Sequence, residues 1–216
     1  MRLNVVYFLC FIILFSCAGK NDPEPLDSQQ VIEDPANDDD DDKEDDKEEN
    51  QDPADASIVY TIPSGQHSSI STLRFFNKNE LKFKAVFNSD AQYTLSEEHQ
   101  GDINKLYGFS DCGNHHHTNS ARFGWRYFDG QLQILAYCYA NGIRSSHLLS
   151  SLEFGQEYEY SIRIEENKYL FSVNNAEYEM QRGCVGNNFN RYYLFPYFGG
   201  TQAAPHDISI LITEVD

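Results

Sequence analysis

No stretch of this 216-residue chain is an unbroken apolar run long enough to cross a bilayer as a helix. Basic side chains are scarce as well, with 16 Lys and Arg against 34 Asp and Glu. A surface so short of positive charge argues against nucleic acid as a partner. Outside the extreme N-terminus no segment carries a sustained 3.6-residue apolar stripe, which excludes a helical bundle. There is no Gly-x-Ser-x-Gly elbow, phosphate-binding loop, dinucleotide fingerprint or His-Glu-x-x-His pair, so the common hydrolase, nucleotide and metalloprotease signatures are missing.

What is present begins at residue 1. Arg2 and Asn4 precede the short apolar run from Val5 to Phe15, which ends at Ser16-Cys17. A positive start, a brief apolar core and a small residue at the cut point predict a secretory signal over 1–16. A cysteine directly after the cut resembles the bacterial lipoprotein signal, which implies cleavage before Cys17 and acylation of it. From Asn21 to Ala56 seventeen acids stand against Lys43 and Lys47, a net charge of −15 out of −18 for the whole chain. Such a segment has too little apolar surface to offset its ordering entropy, so 17–56 is expected to be a lipidated, disordered acidic tether. Asp22 and Glu24, close behind Cys17, resemble the signal that sends some lipoproteins to the outer face of the outer membrane. The expected location is therefore lipid-anchored at the outer membrane and displayed at the cell surface.

Composition shifts at Ser57, and residues 57–216 form one domain's length with a period of two almost throughout. Leu81, Phe83, Ala85 and Phe87 alternate with mostly polar neighbours, as in a half-buried strand. Phe123, Trp125 and Tyr127 lead through Asp129-Gly130 to Leu132, Ile134, Ala136 and Cys138, a hairpin with a strong turn signal. Asn141-Gly142, Glu166-Asn167 and Asn174-Asn175 predict three more turns. Ile208, Ile210 and Ile212 predict a closing strand, and Leu148 to Leu152 a turn of helix. Eight to twelve short strands at hairpin spacing predict an all-β antiparallel β-sandwich or barrel.

The closing layout sharpens that expectation. Asn-Lys-Tyr-Leu-Phe-Ser-Val-Asn-Asn at 167–175, Tyr-Leu-Phe-Pro-Tyr-Phe-Gly-Gly at 193–200 and Ile-Ser-Ile-Leu-Ile at 208–212 follow one another as strand, strand and final strand. Over 120–216 this layout resembles concanavalin A-like jelly rolls, a superfamily of laminin-G-like modules, legume-type lectins, glucanases and alginate-type polysaccharide lyases. The resemblance implies a jelly-roll sandwich and a glycan ligand. The Glu-x-Asp-x-x-Glu run of the glucanases does not occur in residues 57–216, and fold alone does not carry function.

The densest polar cluster is Asp111 to Ser120, with Arg122 on the strand that follows. In an extended chain His115 and His117 point the same way. With His206 or Asp207 as a distant third group they would suit a divalent transition metal, although no metal or other cofactor is favoured. Arg122 and Arg126 share one face of a strand, and Tyr137 and Tyr139 share a face of its hairpin partner. If these faces coincide they form a shelf of guanidinium and phenol groups on which a sugar can stack and hydrogen-bond. The expected ligand site is His115, His117, Asn119, Arg122, Arg126, Tyr137, Tyr139 and His206, in a non-catalytic binder. An alternative is a lyase or hydrolase in the same cleft, with His116 or Tyr137 as base and Arg122 or Arg126 neutralising a uronate carboxylate. A third reading is a module that docks another envelope protein. Cys112 and Cys184 sit in Gly-flanked loops and could be bridged, while Cys138 on an apolar strand face reads as a buried thiol.

Overall fold

The computed structural model describes residues 57–69, 72–174, 176–187 and 189–215. The expected signal segment, Cys17 and the acidic tether lie outside the described residues. Within them the period-two patterning becomes β1 (Ser57–Ile62), β2 (Glu80–Phe87), β3 (Asn104–Ser110), β4 (Ser120–Phe128), β5 (Gln131–Ala140), β6 (Ile143–Leu152), β7 (Glu157–Ile164), β8 (Lys168–Val173), β9 (Ala176–Gln181), β10 (Tyr193–Leu194) and β11 (Ile208–Val215). The strands form a six-stranded sheet, β1-β11-β2-β7-β8-β9, and a five-stranded sheet, β10-β3-β4-β5-β6. Every pairing is antiparallel. Of the sandwich or barrel that the hairpin spacing predicts, this is the sandwich, in the jelly-roll form that the resemblance implies.

One side chain in two from each sheet faces the other sheet, and aromatic rings fill the space between. Phe83 on β2 meets Phe123 on β4 edge to face at 5.8 Å, and Phe123 meets Tyr160 on β7 at 5.0 Å and Phe171 on β8 at 5.1 Å. Edge-to-face rings at these separations add to the stabilisation from burying their area. Trp125 and Cys138 are fully buried in the same core.

Two short turns set the register of the five-stranded sheet. Asp129 and Gly130 have φ of 52° and 72°, and Asn141 and Gly142 of 52° and 81°. Positive φ at both central residues matches the right-handed twist of the flanking strands and fixes which residues lie opposite one another. Arg122 thereby faces Tyr137 across the β4–β5 pair, and Arg144 faces Tyr139 across β5–β6.

The helical turn expected over Leu148 to Leu152 is not formed; those residues continue β6. The pairing slips between Ile134 and Leu135, opposite Leu148 and Ser150, so Leu149 is an extra residue. A bulge of this kind breaks strict alternation and produces a pattern that imitates a helix.

Candidate functional site

Alternation fixes what the outer face of the five-stranded sheet presents. Ala121, Phe123 and Trp125 point into the core, as do Ile134, Ala136 and Cys138. Arg122 on β4 and Tyr137 and Tyr139 on β5 therefore point to the opposite face. On the other side of Arg122 lies Gly108 of β3, and next to Gly108 lies Leu194 of β10. A Cβ at Gly108 would fall 2.2 Å from the Cβ of Arg122. Only glycine therefore fits opposite Arg122 at that position.

Arg122 is the anomaly of this face. It is only 6 % exposed, yet among the described residues no acid pairs with it, and its Nε has no hydrogen-bond partner. Buried cations are ordinarily paired, because desolvating an unpaired charge costs several kcal/mol, roughly. Burial pushes the guanidinium pKa down, and Tyr137, Tyr139, Tyr192 and Tyr197 around it act the other way. Its guanidinium carbon stands 5.8 Å from the centre of the Tyr137 ring. The arginine forms part of the wall of an open groove of about 330 Å³, together with His116, Tyr192, Leu194, Pro196 and Tyr197.

Lys105 extends the cationic strip. Its Nζ sits 5.0 Å from the Tyr137 ring centre and donates to the Ile103 carbonyl at 2.6 Å. With Arg144, Tyr137 and Asp102 it borders a smaller hollow of about 140 Å³. Burial, with Arg122 and Arg144 nearby, brings the Lys105 ammonium down to about 8. Tyr137, almost covered on this face, is pushed up to about 12 by burial and by its bond with Tyr139. It is therefore a neutral phenol at ordinary pH, which argues against its expected role as a base.

The histidines behave differently from expectation. Residues 115–117 are not extended: the amides of Thr118 and Asn119 both donate to the His115 carbonyl, at 2.8 and 3.2 Å. That turn gathers His115, His116 and His117 together. His116 is the one that lines the groove. Its Nδ1 lies 3.2 Å from the Tyr192 hydroxyl, and the same hydroxyl accepts from the His116 amide at 3.2 Å. Burial, then Arg122 and the flanking imidazoles, lower the His116 pKa to about 4, so the ring is neutral at pH 7. The His117 ring packs 5.4 Å from Tyr139.

Three expected ligand residues serve the framework instead. His206 is held at its Nε2 by the Asp90 carbonyl at 2.7 Å and is not among the side chains gathered with His115 and His117. Neighbouring Asp207 accepts from the Ser64 amide at 2.7 Å, so neither supplies the distant metal ligand. Asn119 is buried; it donates to Asn114 and accepts from the Asn141 amide, clasping two loops. Arg126 donates to Gln133 at 2.8 Å and to the Gly101 carbonyl at 3.0 Å, with Phe128 packed beneath it. Polar side chains close to backbone are usually satisfied in this way. Conversely, Tyr192 and Tyr197 belong to the groove and Lys105 to the smaller hollow, and none of the three is among the site residues expected from the sequence. The one available signal was alternation around Tyr193 and Phe195, which pack toward the core and leave Tyr192 and Leu194 facing out.

The end of the site is stapled from below. Asp111 is fully buried and accepts from Arg182 at 2.6 Å, Arg191 at 2.7 Å and the Tyr169 hydroxyl at 2.8 Å. Burial alone would raise its carboxyl, but the two guanidiniums outweigh this and hold it below the usual carboxylate range. The next residue, Cys112, forms a disulfide with Cys184, 72 residues away. A cross-link closing a loop of that length restricts the unfolded chain by about 4 kcal/mol. Replacing both cysteines with serine should lower stability by nearly that amount, measured by chemical denaturation. A loss below about 1 kcal/mol would mean that the bridge adds little to what the arginine clamp already holds.

A second hollow, of about 460 Å³, lies on the six-stranded sheet between Lys82, Lys84, Glu157 and Glu159. Its charges answer one another, with Lys84 and Glu157 3.3 Å apart, so it has no counterpart of the unpaired arginine.

No family model matches the chain. No curated protein matches it either. Solved structures with a similar arrangement include a Bacteroides ovatus GH16 enzyme from a mixed-linkage glucan locus, in complex with its product, at 12 % identity and TM-score 0.48, covering 75 % of this chain and 81 % of that one. Another is a GH16 non-specific endo-β-1,3(4)-glucanase, at 11 % identity and TM-score 0.49, covering 74 % and 70 %. A third is the family-7 polysaccharide lyase alginate lyase A1-II′, at 11 % identity and TM-score 0.46, covering 74 % and 80 %.

Proposed function

We propose that this domain binds an acidic glycan along the outer face of the five-stranded sheet, with the acid group seated on Arg122. The observation that carries this reading is the desolvated, unpaired guanidinium in a groove walled by tyrosines. A planar fork of donors fits a carboxylate or sulfate, and the aromatic faces fit the C–H surfaces of a sugar ring. Lys105 and Arg144 add positive charge in the smaller hollow on the same sheet face, where further acid groups of a longer chain would be attracted. This field is local, since the whole chain carries −18. The test is calorimetric titration with uronic-acid and sulfated oligosaccharides beside neutral ones of equal length. Binding confined to the acidic set supports the reading, and binding confined to the neutral set refutes it.

Lys105 gives that binding a pH signature. An anion is attracted to the ammonium and not to the free amine. With the ammonium losing its proton near pH 8, affinity should hold between pH 6 and 7 and fall as pH rises toward 9. Titrations across this range should show a several-fold loss that Lys105→Gln removes. An unchanged profile in the variant would take Lys105 out of the site.

A lyase reading is favoured by one observation, the neutral His116 in the same groove as Arg122. With the carboxylate neutralised by Arg122, His116 would accept the adjacent ring proton, the C–H electron pair would become a C=C bond, and the glycosidic C–O bond would break with its oxygen taking a proton from the imidazolium or from water. That product absorbs in the ultraviolet, and a panel of acidic polysaccharides giving no such absorbance would leave the binder.

We further propose that the domain is displayed from a membrane by acylation of Cys17, with 21–56 as its acidic spacer. The signal-like N-terminus and the charge run support this. Cys17→Ser should abolish incorporation of radiolabelled palmitate; retained label would remove the anchor.

A further inference from the structure

We propose that His115, His116 and His117 form a three-imidazole site for a divalent transition metal of the zinc, cobalt or nickel class at the end of the groove, with a coordination position left for a ligand oxygen. One potential ligand atom from each ring lies within 4.8 Å of the others. The ring centres are 4.1, 4.4 and 5.1 Å apart. Three imidazoles bound at about 2.0–2.1 Å in tetrahedral geometry would place their ring centres about 5 Å apart, so small rotations about the side-chain bonds suffice.

Proximity of three consecutive residues is partly a consequence of the turn, and two further observations point beyond it. The turn is held rigidly: the Ser120 hydroxyl donates to the His116 carbonyl at 2.7 Å, Asn119 ties the loop to Asn114, and Cys112 is covalently fixed to Cys184. The Tyr192 hydroxyl, 3.2 Å from His116 Nδ1, can accept a hydrogen bond from Nδ1–H and so leave Nε2 as the metal-binding atom, the role that outer hydrogen-bond acceptors have for metal-bound histidines. Binding at His115 gives up only the weak 3.3 Å contact from the His117 amide to His115 Nδ1. Arg122 lies near and repels a cation, so the site is expected to be of moderate affinity. Imidazole nitrogen with no thiolate or carboxylate selects borderline metals over calcium or magnesium. The inference does not depend on the glycan reading.

The experiment is titration of the untagged full-length chain with cobalt(II) alone, read by visible d–d absorption and by metal stoichiometry after gel filtration. The acidic residues at 38–49 offer oxygen ligands only, and they give the weak spectrum of a hydrated ion. Expected are one cobalt per chain with the stronger absorption of a nitrogen-rich, low-coordinate site, and its loss in His115→Ala/His117→Ala. Both residues are exposed, so the fold is expected to survive the change. Tyr192→Phe should weaken binding about 10-fold, an effect that chance association with surface histidines would not show. A spectrum unchanged in the double variant, or no such spectrum in the parent, overturns the site.

Discussion

Replacing Arg122 with methionine should abolish acidic-glycan binding and, in the same protein, raise the melting temperature. Ordinary site residues do not behave this way; loss of a contact usually leaves stability unchanged or lower. Here the guanidinium is desolvated without an acid opposite it among the described residues and with its Nε unanswered, so the free protein carries a cost that the proposed acidic ligand would remove. A charge-assisted, forked contact contributes about 3 kcal/mol at most, or a loss on the order of 100-fold in affinity when it is removed. Exchanging a buried ionic group for an apolar one of similar length can stabilise by about 1–4 kcal/mol. At about 2–4 °C per kcal/mol for a domain of this size, the melting temperature should rise by several degrees. Calorimetric titration and a thermal scan of the same sample measure both. A variant that binds as well as the parent, or that melts well below it, would mean that Arg122 is a structural residue.

The opposite behaviour is expected at Asp111. Asp111→Asn preserves the side-chain volume but leaves Arg182 and Arg191, both nearly inaccessible, facing a neutral amide. Breaking one buried ion pair by removing a partner costs about 3–5 kcal/mol, and two arginines lose their counterion here. The Tyr169 hydroxyl loses a charged acceptor as well. The melting temperature should fall by about 10 °C or more, with the disulfide intact. The parent protein should show the same dependence in acid. The Asp111 carboxyl is held below its unfolded value, so its contribution is complete above about pH 4 and is lost as pH falls through the lower, folded-state value. A shift of less than 2 °C in Asp111→Asn would show that the arginines find other acceptors. The Glu165, Glu166, Lys78 and Asn187 carbonyls already within reach are the obvious ones.

The two arginine environments also show what sequence can and cannot reveal here. The β4–β5 hairpin was legible because Asp129-Gly130 is a two-residue turn that needs positive φ twice, and a turn of known length sets every pair above it. The placing of Arg122 against Tyr137 follows from that turn without further information. Lys105, Tyr192 and Tyr197 reach the same face through long-range pairing and through β10, which is two residues long and has no periodicity to read. Leu148 to Leu152 imitated a helix because a bulge inserts Leu149 and breaks the alternation. His206 and Asn119 stand out in the sequence for their polarity, but His206 meets the main chain of Asp90 and Asn119 that of Asn141, both distant in sequence. What a side chain hydrogen-bonds to across a fold is set by tertiary placement, and no local pattern encodes it.

The reading of the groove rests on charge, so the decisive comparison changes charge and nothing else. One acidic oligosaccharide that binds, and the same molecule after reduction of its carboxyl groups to primary alcohols, should be titrated into the full-length protein at two salt concentrations. The account predicts measurable binding of the acid form that persists in higher salt, because the Arg122 contact is desolvated, and at least a 100-fold loss on reduction. Equal affinity for the two forms would contradict it and leave Arg122 without a ligand to explain its burial.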